Sequence, residues 1–143
     1  MSLSERTVGE FLAALGERTP TPASGAATAL TAALAAALVE LAGRFAGAED
    51  AVVRAKTLWA RLAELADEDA AAYTAFLADR SEETRERIIA VPLEVAECAD
   101  EVAALAEEVR KQLRTAVVGD AEAARELATA AAKVARRLAE MNG

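Results

Sequence analysis

The stretch TPTPASGAATALTAALAAALV, residues 19–39, decides the fold of this chain. It carries no charged residue, and it passes from a proline-rich loop directly into a helix of alanine and leucine. Such a run is only weakly hydrophobic for a membrane span, whereas a helix that is apolar on all sides is typical of the centre of a bundle. We therefore expect a buried central helix over about Ala26 to Phe45, and no membrane association.

Helical patterns also account for the rest of the chain. The first helix is predicted to begin at a capping box, Thr7 to Glu10, and to stop near Gly16. The third is predicted to run from about Glu49 to Ala78, and the fourth to start at Ser81. The last is predicted to start at an N-cap, Asp120. Pro92 is expected either to kink the fourth helix or to divide it. The buried seam of the last helix is predicted to be Ala124, Leu127, Ala131, Val134 and Leu138. No period-two strand pattern occurs, which predicts an all-α bundle of about five helices in one domain, residues 1–143.

Composition narrows the classes of function. Alanine dominates the apolar residues, and with only five aromatic side chains the bundle is expected to bury little area per residue and to gain stability as a dimer. The net charge of −8 argues against non-specific nucleic-acid binding, which needs clustered Lys and Arg. Residues 1–10 are too polar for a signal peptide, which predicts a cytoplasmic protein.

The chain contains no histidine. This excludes a Ser-His-Asp triad, histidine metal ligands and imidazole acid–base catalysis. It also excludes the di-iron helical bundles, which need Glu-x-x-His pairs. Any chemistry must use carboxylates, Lys, Tyr, hydroxyls or backbone dipoles.

Asp69 interrupts an apolar helical stripe. The stripe consists of Leu58, Leu62, Leu65, Asp69, Ala72 and Phe76, at alternating spacings of four and three. A lone buried carboxylate costs several kcal/mol in order of magnitude unless it is paired or protonated. Two interpretations are open: Asp69 is a functional group with a raised pKa, or it reaches water at the edge of the stripe.

Two further candidates for a ligand site accompany Asp69. The loop Thr19–Gly25 combines proline rigidity, hydroxyls and a helix N-terminus, which together suit an anion or a polar ring; it can equally be an ordinary connector. Tyr73 lies four residues after Asp69 on the same face and could hold it or touch a ligand, or could simply pack with its hydroxyl in water.

An acidic face on the fourth helix is the last candidate. Glu94, Glu97 and Glu101 are spaced so that their carboxylates could bind a divalent metal, although this spacing is also typical of a solvated surface. A helical carboxylate–metal hydrolase is one reading, with Glu64 and Asp67 as the second acidic pair. The basic residues Arg54, Lys56 and Arg61 are expected to form a solvated face.

Several motifs in order resemble one family. FLAALGERTPTPASGAATALTAAL (Phe11 to Leu34) resembles the start of the cyclodeaminase domain of formiminotransferase-cyclodeaminase, a family that includes small bacterial methenyltetrahydrofolate cyclohydrolases. LADEDAAAYTAFL (Leu65 to Leu77), VPLEVAE (Val91 to Glu97) and VGDAEAA (Val118 to Ala124) then follow in the family's order.

The resemblance implies an all-helical dimer with a folate site near helix ends. It implies either loss of ammonia from 5-formiminotetrahydrofolate or hydration of 5,10-methenyltetrahydrofolate, with no metal or redox cofactor. Carried over, Asp69 is the acid or base. The substrate-binding residues are expected to be Thr21, Pro22, Ser24, Gly25, Tyr73 and Asp120.

Two features keep a second reading open. The family's three loop glycines read Ala23, Ser24 and Gly25 here, and its Asn and Ser before Asp120 are replaced by Ala116 and Gly119. A Cβ crowds a place where backbone must approach a ligand. The alternative is therefore a diverged, non-catalytic bundle that binds a ligand or a partner.

Overall fold

Five α-helices pack into a bundle in the computed structural model, which describes residues 1–114 and 116–143. After a short 3-10 helix at Leu3–Glu5, they are α1 (Val8–Gly16), α2 (Ser24–Ala46), α3 (Glu49–Ala78), α4 (Glu82–Arg110) and α5 (Val118–Asn142). No strand occurs in either described range, and the prediction of an all-α bundle is confirmed.

Capping explains where two of the helices begin. The Thr7 hydroxyl accepts from the Glu10 backbone N–H, and the Glu10 carboxylate accepts from the Thr7 N–H. Ser81 and Thr84 form the same reciprocal pair at the start of α4. Each box satisfies two backbone donors that a helix start would leave free. The sequence predicted the box at Thr7 and the helix start at Ser81.

The prediction for the start of α5 is wrong by three residues. The helix begins at Val118 with Val117 as its N-cap, and Asp120 lies inside the first turn. The turn is already closed before Asp120, because the Gly119 N–H donates to Ala116 O and the Asp120 N–H to Val117 O. Asp120 thus favours the helix by its charge near the positive end of the dipole instead of by capping.

Pro92 does not divide the fourth helix. α4 continues from Glu82 through the buried Pro92 to Arg110. Proline has no N–H, so the carbonyl of Ile88, four residues earlier, loses its usual helical donor. That carbonyl is satisfied from another helix, as described below.

Alanine forms the buried face of α2, the central helix. It packs against α3, α4 and α5. Its fully buried side chains are small: Ala26, Ala29, Ala32, Ala35, Ala36, Val39 and Ala42. Small side chains let backbones approach closely, while Leu34, 65% exposed, points away from the core. Among the described helices only α2 is long and apolar enough to cross a membrane, and its packing against three helices explains that composition.

The predicted seam of α5 is partly wrong for the same reason. Ala124 and Ala131 are buried as expected, but Leu127 and Val134 are partly exposed. The other buried positions of α5 are all alanines: Ala121, Ala128, Ala132, Ala135 and Ala139. Close approach of α5 to α4 and α2 selects the smallest side chains and leaves the larger ones at the flanks.

Candidate functional site

A cavity of about 290 Å³ lies at the N-terminus of α2, where ends of other helices meet. It is lined by Pro20, Thr21, Ala23, Ser24, Gly25, Asp69, Tyr73, Ile88, Leu138 and Asn142. Five of the predicted site residues are therefore brought together: Thr21, Ser24, Gly25, Asp69 and Tyr73. Pro22 belongs to the same loop but does not line the cavity.

Asp69 is the one acidic residue of this lining. The apolar members of its stripe are buried as predicted, and Asp69 itself is half-buried where the stripe meets the cavity. Its carboxylate has no hydrogen bond or ion pair with any described residue. Burial raises the pKa of Asp69 above its ordinary value, because removal from water disfavours the charged form. A carboxyl in this state can hold or accept a proton nearer neutrality than a surface aspartate can.

Gly25 makes room for the Asp69 carboxyl group. A Cβ built on Gly25 would overlap both carboxylate oxygens and the carboxyl carbon of Asp69. The Asp69 side chain, which comes from α3, thus lies directly against the first turn of α2. A residue with any side chain at position 25 would push Asp69 out of this place, so glycine is required here by a close approach and not by a turn.

The two loop positions at which this chain lacks the family's glycine are open to solvent. Ala23 and Ser24 are exposed, and their side chains border the mouth of the cavity. Ala23 is the N-cap of α2 and gives no side-chain cap. The first N–H groups of α2 therefore lie beside the cavity without a side-chain acceptor, which suits an electronegative ligand atom. The chain keeps the one glycine whose replacement would displace Asp69.

Tyr73 is held beside the cavity by aromatic packing. Its ring stacks on Phe76 with the centroids 6.4 Å apart and an interplanar angle of 29°. The guanidinium groups of Arg80 and Arg85 lie over the Phe76 ring, 5.0 and 5.5 Å from its centroid. Tyr73 is only partly exposed, so its ring and hydroxyl are available at the cavity wall while its base is fixed.

Asp120 is not part of this cavity. It lies near the start of α5, whereas Leu138 and Asn142 at the cavity lie near the end. The helical rise places Asp120 about 33 Å along α5 from Asn142. A role for Asp120 at this cavity would need a second copy of the chain.

Sequence reasoning missed three lining residues: Ile88, Leu138 and Asn142. They come from α4 and α5, far along the chain from the loop and from Asp69. The sequence predicts Leu138 as a core residue of α5, and no local pattern marks Asn142. Only the missing N–H of Pro92, which leaves the Ile88 carbonyl without its helical donor, was visible in the sequence as a signal.

Arginine occupies the acidic face considered for a metal. Arg61 Nε and Nη2 donate to both oxygens of Glu94 at 2.6 and 2.8 Å, and its Nη1 donates to Glu68 and Glu64. Arg54 makes a similar two-point ion pair with Glu101. Arg54 and Lys56 are exposed, as predicted for a solvated face, whereas Arg61 is half-buried among its carboxylate partners. Arg61 joins carboxylates of both predicted acidic motifs, which argues against a carboxylate–metal hydrolase.

A larger groove of about 540 Å³ runs between α1 and the neighbouring faces of α2 and α3. Its lining is almost entirely apolar, from Phe11, Leu12 and Leu15 across to Leu30, Leu34 and Trp59. No residue of α1 is buried. This groove has the character of an incompletely covered surface, whereas the smaller cavity carries the titratable group.

Comparisons with known proteins agree on the fold and on a family. The model of the formiminotransferase-cyclodeaminase family matches residues 7–143. The crystal structure of a formiminotetrahydrofolate cyclodeaminase from Thermotoga maritima superimposes with a TM-score of 0.93 at 22% identity, over 99% of this chain and 80% of that one. No curated protein matches the sequence.

Proposed function

The chain belongs to the formiminotransferase-cyclodeaminase family, and on that premise we propose that it closes or opens the one-carbon bridge of a reduced folate. The family and the fold support a role in folate one-carbon chemistry with a folate ligand. The observation that carries the proposal is Asp69, an unpaired, half-buried carboxyl group in a cavity at a helix N-terminus.

Asp69 is proposed as the proton-transfer group. Loss of ammonia from 5-formiminotetrahydrofolate and hydration of 5,10-methenyltetrahydrofolate both pass through a tetrahedral one-carbon centre. Each needs a proton moved to or from a nitrogen or oxygen on that carbon. The raised pKa of Asp69 suits this exchange, because burial makes the protonated form easier to reach than in a surface aspartate.

Substrate binding is assigned to the loop and to Tyr73. The hydroxyls of Thr21 and Ser24 and the open N-terminus of α2 offer hydrogen bonds to polar atoms of the folate. Tyr73 offers an aromatic wall beside Asp69. Gly25 holds the space for Asp69, and Pro22 shapes the loop between α1 and α2.

The deciding experiment follows the absorbance of 5,10-methenyltetrahydrofolate in two reactions. Its appearance from 5-formiminotetrahydrofolate, with release of ammonia, identifies a cyclodeaminase. Its disappearance faster than in buffer identifies a cyclohydrolase. If neither change exceeds the buffer rate, the proposal is contradicted and the diverged, non-catalytic alternative is favoured. Neither reaction needs a metal or redox cofactor, so dialysis against EDTA should leave the rate unchanged.

We further propose a homodimer, formed across the apolar groove. The groove exposes large apolar side chains on two helices: Leu12 is 61% exposed on α1 and Leu34 65% on α2. Phe45, 67% exposed, extends the apolar surface of α2 towards its end. A second copy of the same face would cover these side chains, as in isologous dimers.

Asp120 has a role in the proposed function only if the protein forms a dimer. It lies about 33 Å along α5 from Asn142, which lines the cavity, so it contributes to a folate site only where the partner subunit brings it there. The remaining expectations, a single domain and a cytoplasmic location, belong to the same proposal of a folate enzyme.

A further inference from the structure

Pro92 creates an unmet need for a hydrogen bond inside the bundle. Its ring nitrogen cannot donate to the carbonyl of Ile88, four residues earlier in α4. Ile88 is buried, 5% exposed, and a buried carbonyl without a donor costs about 1–3 kcal/mol.

The side chain of Asn142 supplies that donor from α5. Asn142 Nδ2 donates to Ile88 O at 2.8 Å, across 54 positions of sequence. Because a carbonyl accepts and never donates, the contact fixes the orientation of the amide: the NH₂ group faces Ile88. The other polar atom, Oδ1, accepts from no described residue, and Asn142 lines the cavity that contains Asp69.

We infer that Asn142 is a substrate-binding residue whose Oδ1, oriented by the Ile88 carbonyl that Pro92 frees, accepts an N–H hydrogen bond from the ligand. This inference rests on the proposed function and names one contact within it. The pterin ring of a reduced folate carries N–H donors at N3 and at the 2-amino group. An acceptor that no protein donor occupies selects for a ligand with N–H groups at this edge, because a ligand without them would leave Asn142 Oδ1 unpaired.

Two variants separate this role from a purely structural one. In Pro92→Ala, residue 92 regains an N–H and can bond Ile88 O within α4, so Asn142 is no longer needed as its donor. Asn142→Ala is then made in the wild-type and in the Pro92→Ala background. Two quantities are measured for all four proteins: Tm, and the Kd of 5-formyltetrahydrofolate, a stable reduced folate with the same pterin edge. Met141→Ala, next to Asn142 and 65% exposed, is the control.

The expected pattern differs between the two measurements. Asn142→Ala should lower Tm by about 3–8 °C in the wild-type background and by almost nothing in Pro92→Ala. It should weaken 5-formyltetrahydrofolate binding about 3–10-fold in both backgrounds, the loss of one neutral hydrogen bond. The Met141→Ala control should change neither quantity.

Three results would contradict the inference, and each would remove a different part of it. Unchanged folate affinity in Asn142→Ala, with normal binding by the wild type, makes Asn142 a structural donor only and leaves the proposed function standing. Absence of 5-formyltetrahydrofolate binding by the wild type removes the proposed function itself. An equal loss of Tm in both backgrounds would show that Pro92 does not create the role of Asn142.

Discussion

At the scale of single residues, Asp69 is expected to lower the stability of the folded state while it serves the proposed function. Its carboxyl group is removed from water without a hydrogen-bonded or charged partner among the described residues. Such a group destabilises the folded state when it is ionised. A residue kept in spite of this effect is a candidate for proton transfer.

Asp69→Asn should therefore give a more stable protein. Because burial raises the pKa of Asp69, the folded state binds the proton more tightly than the unfolded chain does. The stability of the native protein then falls as the pH rises from the ordinary aspartate value, about 4, through the folded pKa. Thermal melts should show Tm raised by about 3–5 °C at pH 7 and no gain below about pH 4. A lower Tm at pH 7 would show that Asp69 has a stabilising partner.

Gly25→Ala tests the contact that positions Asp69. The new methyl group overlaps the carboxyl of Asp69, and its displacement should lower kcat/KM about 100-fold. Gly119 is the matched control: it is the second residue of α5 as Gly25 is of α2, and a Cβ there meets nothing within 4 Å. Gly119→Ala should raise stability slightly and keep activity. Full activity in Gly25→Ala would refute the positioning role.

At the residue scale, the sequence could locate a position of interest where the signal was local. Asp69 broke an apolar period within its own helix, so the pattern alone marked it. Asn142 depends on a hydrogen bond to Ile88 across 54 positions, and no periodicity carries that information. The requirement for Gly25 is equally tertiary, because it arises from a side chain on another helix.

At the scale of elements, α3 and α4 pack in a shared core and are linked by arginine–carboxylate ion pairs. Arg61 donates to Glu94 with two nitrogens and also reaches Glu68. Two-point guanidinium–carboxylate contacts are the stronger kind of surface ion pair. The Arg61 guanidinium lowers the pKa of Glu94, so this contribution is present above about pH 4.5 and is lost as the pH falls through the lowered value.

Arg61→Gln should lower Tm by about 3–5 °C in low salt at pH 7. The deficit should shrink in 1 M NaCl, where charges are screened over about 3 Å, and at pH values below the folded pKa of Glu94. Arg137, whose contact with Glu140 is exposed, is the control, and Arg137→Gln should leave Tm nearly unchanged. A deficit that is independent of salt and pH would assign the effect of Arg61 to packing.

The starts of α1 and α4 followed from caps, whereas the start and the buried face of α5 did not. Thr7 and Ser81 marked helix starts correctly because a capping box is a local device. The sequence pattern of α5 predicts Leu127 as a buried residue and therefore gives the wrong rotation for this helix. In a bundle this closely packed the alanines are buried, and larger side chains such as Leu127 lie at the margin.

At the scale of the whole molecule, the apolar groove and the exposed leucines of α2 predict a dimer. Leu34→Glu places a charge on this surface and should convert a dimer to a monomer in light-scattering chromatography. Met141→Glu, at an equally exposed position outside the groove, should remain dimeric. A wild-type protein that is monomeric at micromolar concentration would contradict the predicted interface.

The most direct test of the central claim is reduced-folate turnover by the wild type beside Asp69→Asn. We predict that the wild type makes 5,10-methenyltetrahydrofolate from the formimino compound, or consumes it, well above the buffer rate. Asp69→Asn, still folded, should lose about 10²–10⁴-fold in rate, the usual contribution of a positioned acid or base. An Asp69→Asn protein as active as the wild type would remove Asp69 from the chemistry and contradict the account.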